Sequence, residues 1–207
     1  MTVEQTPAPA RSDVRRPTPA PPAPTRPFVR RGLLLTAGAA AWAAAIAVIG
    51  VDPGERTGDL IAYGVGSGLF QLGLLGLLTV LWQTRALGEG RLARFFLRVE
   101  VVLVTLALAS TTVDALGVSD LDRLGWILLD ACWPLSMLGM FLIGIRIAVH
   151  GKWRGVSRWW PMVAESWALV VIPTLNIAGE TAAGVVAALH LLVGYAVLGV
   201  IVALKRA

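Results

Sequence analysis

The sequence of 207 residues is 56% hydrophobic and only 15% charged, with a net charge of +5 and a mean hydropathy of +0.71. Because a soluble domain usually carries about 25% charged residues, this composition excludes an ordinary soluble protein and indicates an integral membrane protein. The basic residues lie at the edges of apolar runs and not in one domain, which argues against nucleic acid and makes the lipid bilayer the expected partner.

The first part of the chain, residues 1–30, is rich in Pro, Ala and Arg. This composition cannot bury enough apolar surface to offset the entropy lost on ordering, and repeated proline favours extended polyproline II segments. The sequence predicts a disordered cytoplasmic tail, and the alternative is a docking peptide for a protein partner. Residues 31–207 are predicted to form one transmembrane domain.

Apolar segments account for most of that domain, and each is close to the roughly 20 residues that an α-helix needs to cross a bilayer. Backbone groups in hydrocarbon must be hydrogen-bonded within their own segment, so each segment is predicted to be helical. The expected fold is all-α, a polytopic bundle of six transmembrane helices. Their predicted ranges are 33–51, 60–82, 97–116, 125–145, 159–178 and 183–204.

The distribution of Lys and Arg predicts the orientation of these helices. Of the 18 basic residues, 16 lie in the tail, at the carboxyl end, or beside the loops after the second and fourth segments, whereas Arg56 and Arg123 lie on the other side. Positive charge marks the cytoplasmic side, so both termini are predicted to be cytoplasmic, with the chain in a bacterial inner membrane. The same residues are candidates for contact with anionic lipid headgroups.

Three ionisable residues are predicted at one depth in the outer third of the membrane, namely Asp114, Asp130 and His190. A rise of 1.5 Å per residue places Asp130 of the fourth segment and His190 of the sixth at similar depths. Because a bare charge there costs several kcal/mol, we expect these two to pair. The pair is either a structural polar contact or a proton-sensitive site.

Two further acids, Glu100 and Glu165, fall in the inner third of the predicted bundle. We expect them to form ion pairs with arginines of the inner side, and hydration near the headgroups is the alternative. The arginines expected to take part are Arg98, Arg146 and Arg158.

Small residues and prolines predict how the helices pack. Gly64 and Gly68 share one face of the second segment with Gln71 close by, a pattern that lets helix backbones approach and an amide bond across the contact. Pro134 and Pro173 each remove one backbone hydrogen bond and are expected to bend the fourth and fifth helices.

Motifs for catalysis or metal binding are not found in the sequence. The chain has no zinc-protease or P-loop motif, and its single cysteine, Cys132, has no partner for a disulfide. Ser136 lies in P-L-S-M and does not match the serine motif of rhomboid proteases. No metal and no cofactor are predicted.

Residues 133–163, WPLSMLGMFLIGIRIAVHGKWRGVSRWWPMV, combine a Trp-Pro helix, a glycine-containing apolar stretch, a short basic loop and a Trp-rich start of the next helix. This arrangement resembles a pattern that recurs in small uncharacterised integral membrane proteins of actinobacteria. The resemblance implies a multi-helix membrane layout and brings no activity or functional residues.

The sequence therefore predicts a non-enzymatic membrane component with a structural or sensing function. The alternative is a small proton-sensitive transporter with a polar site at Asp130 and His190. A third hypothesis, an intramembrane enzyme, has the least support in the sequence. A homo-oligomer and a protein partner are both compatible with the sequence.

Overall fold

The computed structural model describes residues 27–120 and 122–205, which are helical apart from turns and bends and contain no β-strand. The all-α prediction is confirmed over these ranges. The helices are α1 Val29–Ile49, α2 Thr57–Gln83, α3 Arg91–Ala115, α4 Leu124–Asp130, α5 Cys132–His150, α6 Val156–Glu165, α7 Trp167–His190 and α8 Val197–Leu204, with a π-helical segment at Leu191–Ala196 between the last two.

Among the described residues, four helical stretches are long and apolar enough to cross a bilayer, namely Val29–Ile49, Thr57–Gln83, Leu124–His150 and Val156–Leu204. Apolar helical stretches of this length are typical of integral membrane proteins. The prediction of six separate transmembrane helices is not confirmed, because the predicted third segment, in α3, is not one of these four stretches and the last two predicted segments lie in one stretch of 49 residues.

The predicted tail, residues 1–30, lies outside the described residues as far as residue 26. Helix α1 begins at Val29, so Arg30 and Arg31 are helical residues. Arg31 Nη1 donates a hydrogen bond of 2.7 Å to Gln83 Oε1 at the end of α2, which joins the start of α1 to the neighbouring helix.

Two of the predicted helices are interrupted. The predicted fourth helix is α4 followed by α5, and Ala131 between them keeps helical backbone angles of φ −59° and ψ −18°. Pro134 has no N–H to donate to the Asp130 carbonyl, so one backbone hydrogen bond is missing at this point. The predicted fifth helix, 159–178, is α6 followed by α7, with Ser166 between them, and the backbone around Pro173 stays helical. The non-helical residue of α7 is Gly179, which follows the predicted end of that helix and has φ 82° and ψ 178°. Only glycine adopts this conformation readily, and the chain reverses its direction there.

Helix α1 packs against α2 and against the α7–α8 region. Small residues permit both contacts: side chains added to Gly32 and Gly73 would overlap the backbones of Gly199 and Leu35, respectively. The buried face of α1 includes Leu35 and Trp42. Because backbones approach this closely, the core is held by van der Waals packing of helix against helix.

Candidate functional site

A polar pocket lies where α2 begins and α3 ends. Its volume is about 180 Å³, and Trp42 and Trp133 form its inner end. Gln71 Nε2 donates a hydrogen bond of 2.8 Å to Thr111 Oγ1, whereas the buried Gln71 Oε1 has no donor among the described residues. The pocket therefore offers an unused acceptor. Its polar lining comprises Tyr63, Ser67, Gln71, Ser110, Thr111, Asp114 and Asp130.

The three glycine and glutamine residues expected to pack α2 all lie on its face toward α3. A Cβ on Gly64 would overlap the side chain of Ala115, whereas one on Gly68 would reach no closer than 3.6 Å to Leu108. Close approach of α2 and α3 therefore depends on Gly64, and Gln71 adds the interhelical hydrogen bond.

Asp114 and Asp130 both line this pocket, but the predicted contact of Asp130 with His190 is wrong. No hydrogen bond or salt bridge joins these two residues in the part of the chain that the structure describes. His190 Nε2 instead lies 3.1 Å from the carbonyl oxygen of Ala164 in α6. The rise per residue predicted that the two residues lie at one level of the bundle. In the structure His190 faces α6, whereas Asp130 lines the pocket with Asp114 of α3.

A second polar centre, which the sequence did not predict, lies beyond Trp42 and Trp133. Tyr195 donates a hydrogen bond of 2.7 Å from its hydroxyl to Glu165 Oε2, and each of the two side chains is only 4% exposed. Glu165 Oε1 is buried without a hydrogen-bond partner among the described residues. The adjoining cavity, about 10 Å³ in volume, is large enough for roughly one water molecule.

The π-helical segment Leu191–Ala196 contains Tyr195, and such insertions occur frequently at functional sites. Trp160 Nε1 of α6 donates a hydrogen bond of 2.9 Å to the Gly194 carbonyl in the same segment. With the His190 contact to Ala164, these bonds fix the end of α6 against the π-helical segment. The Tyr195 hydroxyl is thereby held on Glu165.

A second buried acid, Glu100 of α3, faces α5 at Gly139. Its side chain is 2% exposed, and its Oε1 atom has no hydrogen-bond partner in the described ranges. A methyl group on Gly139 would overlap the Glu100 carboxylate, so the absence of a side chain at Gly139 makes room for the acid. Glu165 is near enough to Glu100 for their carboxyl groups to interact electrostatically.

The predicted ion pairs of Glu100 and Glu165 with arginines are wrong, since neither acid has a salt bridge among the described residues. Arg158 donates hydrogen bonds to the carbonyl oxygens of Ala148 and Val149 at the end of α5. The guanidinium of Arg98 lies 5.6 Å from the centre of the Trp82 ring, and Arg146 is exposed. Long arginine side chains reach toward the helix ends, which leaves both acids without a cation.

An aromatic cluster separates the polar pocket from the Glu165–Tyr195 centre. The Trp42 ring stacks on Trp167 with a centroid distance of 5.5 Å and contacts Phe70 and Trp133 at 5.1 and 5.7 Å. Trp42 and Trp133 line both cavities. The indole rings therefore lie between the polar pocket on one side and Glu165 and Tyr195 on the other.

No protein-family model matches this sequence, and comparisons with curated proteins and with solved structures found no match either.

The sequence predicts Glu100 and Glu165 as intramembrane acids. It does not predict the contacts of Tyr195 and Gly139 with these acids, or the three tryptophans that line the cavity beside Glu165. A single tyrosine or glycine in an apolar helix usually serves packing. The sequence around Tyr195 does not indicate that its hydroxyl contacts Glu165, which is 30 residues away. Trp42 is one of eight tryptophans in the sequence, and at 3% exposure it lies in the core.

Proposed function

We propose that this protein is a non-enzymatic, proton-responsive sensing component of the bacterial inner membrane, in which Glu165 and Glu100 are the responsive groups. The observation that supports this proposal is the burial of two carboxyl groups in a bundle of long apolar helices, each with an oxygen that lacks a donor among the described residues. An ionisable group within a membrane segment is by default a functional-site hypothesis. Arginine side chains do not neutralise either acid in the described ranges.

The proposed topology has six crossings with both termini in the cytoplasm. Helix α3 has 25 residues, about 38 Å at 1.5 Å per residue, which is enough to cross the hydrocarbon core. The stretch Val156–Leu204 reverses at Gly179, since Trp160 bonds to Gly194, and so supplies two crossings. The Lys and Arg excess on one side supports the orientation.

Protonation of Glu165 changes the charge beside three indole rings, because Trp42, Trp133 and Trp167 line the same cavity as its carboxyl group. The titratable groups around it are Tyr195, which donates to it, Glu100 of α3 and His190, whose ring contacts the neighbouring residue Ala164. A change of charge here alters the bonds that join α6 to the π-helical segment. That junction is the element that would transmit the response.

The test is a pH titration of tryptophan fluorescence with the full-length protein in liposomes. We expect a reversible change in emission that Glu165→Gln removes or displaces and that Glu100→Gln displaces. Glu180→Gln is the matched control, since it makes the same acid-to-amide change at an exposed position beside the Gly179 turn. An unchanged titration curve in both Glu165→Gln and Glu100→Gln would overturn the proposal.

A second candidate function, a small proton-coupled transporter, is favoured by the polar pocket. Its volume of about 180 Å³ and its two carboxylates, Asp114 and Asp130, suit a small polar solute or a cation. In liposomes with a trapped pH-sensitive dye, an imposed potential would then drive proton movement that Asp130→Asn abolishes. Proton movement equal to that of protein-free liposomes would reject this candidate and leave the sensing proposal standing.

A further inference from the structure

A groove between α3 and α5 runs along the outside of the bundle, away from the polar pocket. Its volume is about 680 Å³. Its walls are apolar side chains that stay largely exposed, among them Phe96 at 51% and Leu138 at 55%. We call it the α3–α5 groove and define it by Leu92, Phe96, Val99, Leu135, Leu138 and Leu142.

The groove has the length of one lipid chain. It follows α5 from Arg146 to Leu135, about 17 Å at 1.5 Å per residue, while one leaflet of a ~30 Å hydrocarbon core is about 15 Å deep. Gly139 lies midway and, with Glu100 opposite it, forms the floor of the groove. A side chain at residue 139 would make this point shallower.

One end of the groove is positive and has a free cation. Arg146 lines that end, is exposed and has no carboxylate partner among the residues described. The acid at the same end, Glu89, already binds Lys152 Nζ at 2.5 Å and Arg85 Nη1 at 3.0 Å. Its negative charge is therefore compensated, and the remaining field attracts an anion.

We propose that the α3–α5 groove binds one molecule of an anionic phospholipid, with the phosphate on Arg146 and an acyl chain along Phe96 and Leu138. A guanidinium matches the geometry of phosphate oxygens and holds them through two parallel hydrogen bonds. The acyl chain covers apolar side chains that would otherwise line an open groove at the protein surface. The inference shares Glu100 with the sensing proposal as part of the floor, but it requires no change in the protonation of that residue.

The test uses native mass spectrometry of the purified full-length protein with equal amounts of phosphatidylglycerol and phosphatidylcholine of identical chains. We expect preferential retention of phosphatidylglycerol. Arg146→Gln should weaken that retention about fivefold, the factor for one basic residue at an anionic membrane surface. Leu138→Trp should fill the groove and lower retention of both lipids.

Matched controls separate this site from general surface attraction. Arg154→Gln removes the same charge from an exposed residue outside the groove, and Leu175→Trp adds the same bulk on α7, so both should retain lipid like the wild type. Equal retention of the two lipids, or an equal loss in Arg154→Gln and Arg146→Gln, would overturn the proposal. The proposal would also be overturned if the groove variants changed dimer formation and left lipid retention constant. The occupant of the groove would then be a second copy of the chain.

The two proposals fail separately. Glu165 does not line the groove, so Glu165→Gln should alter the fluorescence titration and leave lipid retention unchanged. Arg146→Gln should do the reverse, because Arg146 lies outside the cavity that holds the tryptophans.

Discussion

The Tyr195 hydroxyl donates a hydrogen bond of 2.7 Å to Glu165 Oε2 across 30 residues of sequence, and both side chains are buried. The bond joins the last residue of α6 to a π-helical segment near the end of the chain. It supplies a donor to one carboxyl oxygen of Glu165, while Oε1 has none in the described ranges. The stability of the bundle and the state of this acid are therefore connected through Tyr195.

Replacing Tyr195 with phenylalanine should destabilise the protein by about 1–3 kcal/mol, because a buried carboxyl group then loses its donor. Thermal unfolding in detergent is the measurement. Tyr63→Phe is the control, since the Tyr63 hydroxyl donates to a backbone carbonyl at 3.2 Å at a part-buried position and its loss should matter less. Equal unfolding temperatures for Tyr195→Phe and wild type would show that the bond contributes nothing.

Replacing Gly139 with alanine should destabilise the protein by about 1–3 kcal/mol, the usual effect of excess volume in a packed core. The added methyl group overlaps the Glu100 carboxylate, whereas Gly125→Ala meets nothing within 4 Å and serves as the control. Adding Glu100→Ala to Gly139→Ala should recover part of the lost stability, since residues in contact are not additive. Strict additivity of the two changes would mean that they do not touch.

Replacing Gly179 with alanine should cost about 1–3 kcal/mol, because a residue with a Cβ is strained at φ 82° and ψ 178°. Gly184→Ala lies five residues further along the same helix with nothing within 4 Å, and it should be neutral or stabilising, since alanine favours a helix over glycine. Unfolding temperatures of the two variants are compared. The reverse order would mean that the chain does not turn at Gly179.

Acidification should weaken the link between the loop after α2 and the loop after α5. Lys152, and then Arg85, hold the pKa of Glu89 below its ordinary value of 4.5. A lowered pKa means that the stabilisation is present above pH 4.5 and is lost as the pH falls through the lower value of the folded protein. The effect is small because the residue is exposed.

The measurement for Glu89 is the unfolding temperature at neutral pH and well below pH 4.5. Glu89→Gln should be slightly less stable than wild type at neutral pH and equal to it in acid. High salt should reduce the difference, since ions screen exposed pairs. A difference that persists unchanged in acid would contradict the assignment.

Cysteine labelling from outside intact cells tests the proposed orientation. Glu55→Cys should react with a membrane-impermeant maleimide, whereas Gly90→Cys and Arg154→Cys should react only after the membrane is opened. These positions are exposed, and Cys132, which is 8% exposed, is changed to alanine first. Labelling of residue 90 or 154 in intact cells, with residue 55 protected, would show that the orientation is the opposite of the one proposed.

The sequence by itself determined that the chain forms long apolar helices, because runs of about 20 mostly apolar residues must bond their backbone groups within the segment if they are to lie in lipid. It also identified the face of α2 on which Gly64 and Gln71 meet α3, since the positions of small and polar residues on one helix follow from its period. The position of each residue along its helix axis could also be predicted, because the rise per residue is constant.

Only the tertiary structure decided which side chains meet. The sequence predicts comparable depths for Asp130 and His190, yet His190 contacts Ala164 and Asp130 lines a pocket with Asp114. Depth is one coordinate, whereas contact also requires the rotation of each helix and the order of its neighbours. These are set by close backbone packing at residues such as Gly32 and Gly73 and by the reversal at Gly179. The same packing brought Tyr195 to Glu165 and left both buried glutamates without an arginine partner among the described residues.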